Sequence, residues 1–434
     1  MSGRASTPEW VLLGLVAVLL AGGVLLGGGG GDDGAAGTRG AAQTISPARI
    51  AVVERRVERL RGLRFLRKVP VAVISAEEAR RIGVAEERRA ARPGRQRAQV
   101  EVEKLLGLLA PGVDVSKVTS AIYGEQVAGF YDTRAEELKL VRGAGVDEVT
   151  LAHELTHALE DQHFDLDRLA GRPLKDLSDD ASQAYTALVE GTATEVMVQY
   201  MRRYPDSAPS LGEALGSLGA SAGGTQLPGY VMRSLLFPYL RGQTFAATLR
   251  HGTEDWGLVN VALRYRPPVS TAEVIDPDRW VHVERPAAVR VGGMGSALES
   301  GWKREAGSTF GEFETTQLLY ASSGSAAAER AAAGWAGGRY ELWRRGGWPS
   351  DACDAPCRTR DALLVAWRVE RPGAARRLAG ALGDWLREGM HARPAAGGGV
   401  WRLPDGSAAV VRVRGLDVRV ALAPTRTVAA RVVR

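Results

Sequence analysis

Residues 153–157 read HELTH, with two histidines four positions apart and a glutamate directly after the first. On an α-helix each residue advances by about 100 degrees, so His153 and His157 lie about 40 degrees apart, one turn from each other. Their imidazoles can therefore bind the same metal ion. Glu154 lies on the adjoining face, where a carboxylate can contact a water on the metal without binding the metal itself. The pattern predicts a catalytic Zn²⁺ site with Glu154 as general base.

A catalytic zinc ion usually takes three protein ligands and keeps its fourth position for water. His163 has the spacing of the third histidine in HExxHxxGxxH, but Glu160 stands where that pattern needs a glycine to let the chain leave the helix. If the helix continues, His163 points about 120 degrees away from His157 and lies roughly 9 Å further along the axis. We therefore expect His163 to lie out of reach of the metal.

The sequence ALVEGTATEVM, residues 187–197, supplies a better third ligand, Glu190. This glutamate has small neighbours on a predicted helix, and Gly191 costs about 1 kcal/mol against alanine in such a position. We interpret the small residues as a means for this helix to approach the HELTH helix closely. Glu195 on the same helix and His163 remain the alternative metal ligands.

A second group that stabilises the oxyanion is usual in this chemistry, and three residues are candidates for it. They are Tyr230, His251 and His282. The sequence does not rank them.

The elements that must position these residues follow from hydrophobic periodicity. Alternating apolar residues predict a β-hairpin with strands near residues 126–131 and 137–141, immediately before the HELTH helix, for which Asp147 is the predicted N-cap. A second helix is predicted over residues 179–203. From about residue 308 helices and strands are mixed, which predicts a small α+β unit.

HELTH followed by the glutamate of VEGTA resembles the gluzincin branch of zinc metallopeptidases. TLAHELTHALEDQHFDL and ALVEGTAT resemble a largely uncharacterised group of bacterial metallopeptidases, as do FPYLRGQTF and PPVSTAEVIDP. In that group a histidine often stands at the position of Asp276, so this chain departs from the pattern there. The resemblance is strong over residues 120–200, moderate to 285 and faint beyond.

This resemblance implies a zincin-like domain, mainly helical with a small twisted sheet packed on the HELTH helix. It implies Zn²⁺ as cofactor, held by His153, His157 and Glu190, and a peptide or protein as substrate. The edge strand of the sheet would bind an extended peptide by strand addition.

Residues 10–26 form a continuous apolar run near the N-terminus. We expect residues 1–26 to be a signal peptide or membrane anchor, and residues 27–46, rich in glycine and alanine, to be a flexible linker. The zincin-like metallopeptidase domain would then cover 47–290 and the C-terminal α+β domain 300–434. This order predicts an extracytoplasmic protein, secreted or attached to the membrane by its N-terminal segment. The predicted fold class is α+β.

Fifty of the 56 basic residues are arginines, and they are spread along the chain among acidic residues. Nucleic-acid binding needs basic residues gathered on one face, so we expect no nucleic-acid partner. Cys353 and Cys357 are the only cysteines, and in an exported protein they predict a local disulfide.

The function predicted from the sequence is zinc-dependent hydrolysis of peptide bonds outside the cytoplasm. The alternative is a non-catalytic envelope binding or assembly factor with a structural zinc site. That alternative is motivated by the long C-terminal region, which has no catalytic signature. The presence of Glu154 favours the enzyme, because a structural site needs no acid beside the metal.

Overall fold

The computed structural model describes residues 45–90, 93–114, 128–169, 172–173, 177–207, 228–253, 255–291, 293–346 and 356–434. The chain divides into two compact units. Unit 1 comprises Met1–Ala90, Asp114–Leu177 and Ala184–Pro268, and unit 2 comprises Ala91–Val113, Ser178–Gln183 and Val269–Arg434, each in its described parts. Residues 269–299 thus group with the C-terminal region in this division. The domain boundary between residues 290 and 300 stays a prediction.

Up to residue 268 the described chain forms helices and short strands. In chain order they are α1 (Pro47–Arg61), β1 (Val71–Ile74), α2 (Ala76–Ala90), α3 (Pro93–Leu105), β2 (Gly129–Asp132), β3 (Glu137–Val141), α4 (Glu148–Phe164), the short strands β4 (Arg168–Leu169) and β5 (Arg172–Pro173), α5 (Asp179–Arg203), a 3₁₀ turn (Pro205–Ser207), α6 (Gly229–Thr253) and α7 (Gly257–Arg264).

The described strands of unit 1 include a three-stranded sheet in the order β1-β3-β2. Strands β2 and β3 form the predicted antiparallel hairpin, with Tyr131 opposite Leu138, and β1 joins β3 in parallel. In the hairpin turn the side chain of Asp132 accepts hydrogen bonds from the main-chain N–H groups of Arg134 and Ala135. Among the described strands β2 pairs only with β3, so it lies at the edge of this sheet, and helix α4 contacts both β2 and β3.

Helix α4 carries the HELTH sequence and begins at the predicted cap. The Asp147 side chain accepts a hydrogen bond from the N–H of Thr150 at 2.7 Å, which satisfies one of the free donors of the first turn. The helix continues through Glu160 and ends at Phe164, followed by Asp165 in the left-handed conformation. This course agrees with the expectation that Glu160 favours helix over a turn.

A fully buried ion pair explains why the helix can keep a glutamate at position 160. The guanidinium Nε of Arg61, at the end of α1, lies 2.6 Å from Glu160 Oε1, and neither side chain is exposed. The same guanidinium donates to Asn260 Oδ1 at 2.7 Å and lies over the ring of Trp256, 4.5 Å from its centroid. Glu160 therefore holds α1 and the end of α4 together.

Unit 2 contains α3 and the first turn of α5 together with the elements after residue 268. These are α8 (Thr271–Ile275), α9 (Pro277–Val281), α10 (Met294–Ala297), β6 (Trp302–Thr309), α11 (Glu312–Ser323), α12 (Ser325–Ala332), β7 (Trp335–Arg345), β8 (Asp361–Val369), α13 (Pro372–Asp384), a π-helical turn (Trp385–Gly389), β9 (Arg393–Ala395), β10 (Val400–Arg402), β11 (Ala408–Arg414), β12 (Asp417–Ala423) and α14 (Arg426–Val432).

Seven of the described strands form one antiparallel sheet in the order β6-β7-β8-β12-β11-β10-β9. Central strand β8 is buried on both faces, and its alternate residues belong to two hydrophobic cores. Leu363, Val365 and Trp367 pack in the core that contains residues of α11 and α13. Ala362 and Leu364 pack in the core that contains residues of α10 and α14. The described chain is therefore an α+β protein.

Glu312, in the first turn of α11, supports a prediction about stability. Its side chain is buried, its Oε2 has no hydrogen-bond partner among the described residues, and burial raises the pKa of its carboxyl to about 8. Because the folded pKa lies above the unfolded value, stability present at low pH is lost as the pH rises towards 8. We expect the Glu312→Gln variant to gain stability over the wild type, by on the order of 2 kcal/mol, between about pH 5 and about pH 9. Thermal melts across this range test the expectation, and parallel curves for the two proteins would contradict it.

Three sequence predictions fall outside the described residues. They concern the signal peptide or anchor at 1–26, the linker at 27–46 apart from its last two residues, and Cys353. Cys357 itself is disulfide-bonded. Among the residues that the structure describes, no helix combines the length and the apolar character needed to cross a membrane.

Candidate metal centre

Three side chains from two helices of unit 1 converge on one point. His153 and His157 project from α4, and Glu190 projects from α5. The two Nε2 atoms lie 3.0 Å apart, and Glu190 Oε2 lies 3.2 Å from Nε2 of His153 and 3.4 Å from Nε2 of His157. Among the histidine, cysteine and acidic side chains that the structure describes, these three have donor atoms close enough together to hold one metal ion.

The size of this triangle fits a tetrahedral zinc ion. Zinc bonds to nitrogen and oxygen are about 2.0 to 2.2 Å long, so ligand atoms at tetrahedral positions lie about 3.3 Å apart. The three separations, 3.0, 3.2 and 3.4 Å, bracket that value. The second carboxylate oxygen, Glu190 Oε1, is buried and has no hydrogen-bond partner among the described residues. The donor set of two imidazoles and one carboxylate is also one that catalytic zinc sites use.

The electrostatics of the centre favour a positive charge between these ligands. Burial alone would raise the pKa of Glu190, but His157 and His153 outweigh it and lower the pKa to about 2. Burial alone would lower the pKa of His157, yet the carboxylates of Glu190, Glu154 and Glu160 raise it to about 9. The pKa of His153 is lowered, mainly by burial. The acidic side chains thus favour a positive charge among these ligands, and a bound cation would supply it.

Glu154 is buried beside these ligands and is held by the edge strand. Its Oε2 accepts a hydrogen bond from the main-chain N–H of Tyr131 in β2 at 2.9 Å. Its Oε1 is buried without a hydrogen-bond partner among the described residues. Burial raises the pKa of the Glu154 carboxyl to about 8, against the opposing effects of His157 and the Tyr131 N–H. One oxygen is thus fixed by the main chain, and the other remains available for a proton.

The small residues around Glu190 have a different partner from the one expected. A Cβ atom added to Gly191 would lie 2.1 Å from the main-chain carbon of Gly242 in α6, and one added to Gly242 would lie 2.0 Å from the carbonyl oxygen of Ala187. Helices α5 and α6 therefore approach so closely that both positions must be glycine. Gly191 permits contact with α6, and the expectation that it faces the HELTH helix was wrong.

The two alternative ligands have other partners. Glu195 accepts hydrogen bonds from Gln243 Nε2 at 2.7 Å and from Arg250 Nε at 3.3 Å, so its carboxylate ties α5 to α6. His163 lies in the last turn of α4, with its Nε2 2.8 Å from the carbonyl oxygen of Arg64. Neither belongs to the converging donor set formed by the described residues.

A tyrosine that was not among the candidates for a second electrophile lies close to the ligands. The ring of Tyr239, buried in α6, has its centroid 6.1 Å from that of His153. Tyr230 and His251 lie about 13 and 18 Å from Tyr239 along the axis of α6. His282 belongs to unit 2 and is exposed, with its Nδ1 2.9 Å from the carbonyl oxygen of Asp278. In the sequence, Tyr239 stands about one helical turn before Gly242 in FPYLRGQTF. This spacing is the feature that could have pointed to Tyr239.

Comparisons with known proteins cover parts of the chain. Residues 299–433 match the family model of DUF8575, a domain of unknown function, over less than a third of the 434 residues. No curated protein matches the chain. A crystal structure from Chloroflexus aurantiacus, described as "a putative hydrolase with a novel fold", is similar at 18% sequence identity, covering 65% of this chain and 100% of that one, with a TM-score of 0.37. At that score the likeness supports no argument about this chain's fold or reaction.

Proposed function

We propose that unit 1 is a zinc-dependent peptidase of the gluzincin type with a zincin-like fold. Zinc would be held by His153, His157 and Glu190, and Glu154 would act as general base. The observation that carries the proposal is the position of Glu154, a buried carboxylate next to a three-atom donor set. One of its oxygens is hydrogen-bonded, and the other has no hydrogen-bond partner among the described residues. A purely structural zinc site gives no reason to bury such a carboxylate, since burying an acid without full hydrogen bonding costs free energy.

The chemistry follows from the residues of the centre. When bound, zinc would supply Lewis-acid polarisation of the scissile carbonyl and lower the pKa of the attacking water. Glu154 accepts a proton from that water as the oxygen–carbon bond forms. It then gives the proton to the amide nitrogen as the carbon–nitrogen bond breaks, so that the carboxylate is regenerated and one water is consumed for each bond cleaved. Tyr239, whose ring centroid lies 6.1 Å from that of His153, is the candidate for the oxyanion donor.

The hydrogen bonding of the sheet supports an extended peptide as substrate. The N–H of Leu138 in β3 donates to Pro70 on the β1 side, so Tyr131, opposite Leu138, directs its N–H away from β3. Strand alternation directs the main-chain groups of Gly129, two residues earlier, to the same outer edge of β2. A peptide that adds to this edge at the main-chain groups of Gly129 would run past Glu154, whose carboxylate takes the Tyr131 N–H two residues further along the same edge.

Export remains part of the proposal. The apolar run at residues 10–26 motivates an extracytoplasmic location, with the chain secreted or held at the membrane by this segment. Fractionation of cells that produce the full chain tests this part. Recovery of all the protein from the cytosol would refute it and would leave the proposed reaction untouched.

The ligand set gives a direct prediction about zinc. The wild-type chain should bind one zinc ion, and Glu190→Gln should weaken its binding by about 100-fold or more, because even residues outside the ligand shell change metal affinity by about 10- to 100-fold. Competition with a chromogenic chelator measures the affinity. Glu195→Gln is the matched control, since it removes a buried carboxylate from the same helix.

Zinc binding must also coincide with activity. Chelation of the wild type should abolish cleavage of a quenched-fluorescence peptide library, and added zinc should restore it. The gluzincin assignment is refuted if Glu190→Gln binds zinc like the wild type or if His163→Ala loses it. A wild type that binds one zinc ion and cleaves no peptide would favour the non-catalytic binding factor.

A further inference from the structure

Tyr131 binds helix α4 at two points. Its main-chain N–H donates to Glu154 Oε2 at 2.9 Å, and its phenol donates to Asp161 Oδ2 at 3.0 Å. Glu154 and Asp161 are seven residues apart, so they lie on one face of α4, about two turns from each other. A single residue of the edge strand therefore fixes both the distance of β2 from the helix and its position along the helix axis.

The second contact is anchored independently of β2. Asp161 Oδ1 accepts a hydrogen bond at 3.0 Å from the N–H of Leu166, which follows the left-handed residue Asp165 at the end of α4. The chain that leaves the helix thus holds the Asp161 carboxylate in place, independently of the hydrogen bond that this carboxylate accepts from the Tyr131 phenol. Burial and the neighbouring Asp161 raise the pKa of Tyr131, which keeps the phenol protonated and able to donate.

The first contact determines how the Glu154 carboxylate is turned. Because Oε2 is held by a main-chain donor, rotation of the carboxylate would break that hydrogen bond. Oε1, which is buried and has no partner among the described residues, is then the oxygen left to receive a proton. A displacement of β2 along α4 would move the donor and release this orientation.

We propose that Tyr131 is a positioning residue: its phenol, bound to Asp161, holds strand β2 where the Tyr131 N–H fixes Glu154 Oε2 and leaves Oε1 as the proton acceptor. The inference deepens the proposed peptidase function and rests on it. It assigns to Tyr131 an effect on the rate of the chemical step, exerted through Glu154. It assigns no contact with substrate or metal to the phenol.

Tyr185 supplies a matched control. Its hydroxyl is also buried and also makes a hydrogen bond in unit 1, to the carbonyl oxygen of Leu166 at 3.0 Å. Tyr185 lies on α5, and its hydroxyl bonds to Leu166, whose N–H holds the other oxygen of Asp161, and not to β2. The Tyr185→Phe variant therefore loses a hydroxyl of the same kind, close to the same end of α4, while the hydrogen bond from the Tyr131 phenol to Asp161 stays in place.

The experiment compares Tyr131→Phe and Tyr185→Phe as full-length, zinc-loaded proteins. With the best peptide found from the library, Tyr131→Phe should lower kcat by about tenfold and leave KM and the zinc content unchanged, about the effect of one lost hydrogen bond to a charged group. Tyr185→Phe should leave kcat within about twofold of the wild type. Hydrogen exchange measured by mass spectrometry on a peptide that contains residues 129–132 should be about tenfold faster in Tyr131→Phe only.

Two results would overturn the inference. One is unchanged exchange of the peptide that contains residues 129–132 in Tyr131→Phe, because β2 would then be held without the phenol. The other is an equal loss of kcat in both variants, which would indicate general destabilisation. If the wild type cleaves no peptide at all, the proposed function fails, and the exchange comparison still decides whether the phenol holds β2.

Discussion

Replacement of Glu154 by glutamine should lower kcat for peptide hydrolysis by about 10²- to 10⁴-fold, the usual contribution of a positioned general base. Glutamine cannot take a proton from the attacking water, yet it keeps an oxygen that can accept the hydrogen bond from the N–H of Tyr131. The ligand atoms of His153, His157 and Glu190 are unchanged, so the variant should bind one zinc ion as tightly as the wild type. Steady-state kinetics together with metal analysis of the same samples measure both quantities.

Glu148→Gln serves as the control for the loss of a buried carboxylate from α4. Glu148 lies in the first turn of that helix, where Arg56 and Tyr200 bind its Oε2 at 2.8 and 2.7 Å. The control can lose stability, but it should keep kcat within a few-fold of the wild type at a temperature where both are folded. A Glu154→Gln protein that binds zinc and hydrolyses peptides at the wild-type rate would remove the general base from the mechanism.

Glu160→Ala should destabilise unit 1 by about 3 to 5 kcal/mol, the cost of leaving the other partner of a buried ion pair uncompensated. The substitution leaves the guanidinium of Arg61 fully buried, and it keeps the contacts with the amide oxygen of Asn260 and with the rings of Trp256 and Phe164. Guanidinium chloride unfolding followed by circular dichroism measures the loss through the midpoint and slope of the transition.

A double variant separates the ion pair from its packing. Arg61→Leu combined with Glu160→Met removes both charges and fills the space with apolar atoms, so it should recover most of the lost stability. It should also bind zinc, because Glu160 is not a ligand. A loss below about 1 kcal/mol for Glu160→Ala alone would mean that water reaches Arg61, and that the pair does not hold α1 to α4.

Features set by short-range geometry could be predicted from the sequence. The shared face of His153 and His157 follows from the pitch of an α-helix, and the start of α4 at Asp147 follows from side-chain capping. The expectation that His163 is not a metal ligand needed only the observation that Glu160 favours helix over a turn. The β2–β3 hairpin likewise followed from local alternation and a polar turn.

Contacts between elements distant in sequence could not be predicted in this way. The sequence singled out Gly191 as unusual, but its partner Gly242 became evident only when α5 and α6 were seen to touch. Until that contact is known, nothing in its local sequence distinguishes Tyr239 from other helical tyrosines, and its position beside His153 depends on the contact between α5 and α6. The donor to Glu154 is the main-chain N–H of Tyr131, so the residue type at position 131 does not predict this hydrogen bond.

The sequence by itself determined which side chains could carry the chemistry, because residue type and helical pitch are properties of a few neighbouring positions. It specified the donors His153 and His157, the acid Glu154 and a preference for Glu190 as third ligand. Only the tertiary structure decided that Glu190 meets the histidines within 3.4 Å and that Glu154 is turned by a strand. The reason is physical: those distances depend on how helices and strands pack, which is fixed by contacts between residues far apart along the chain.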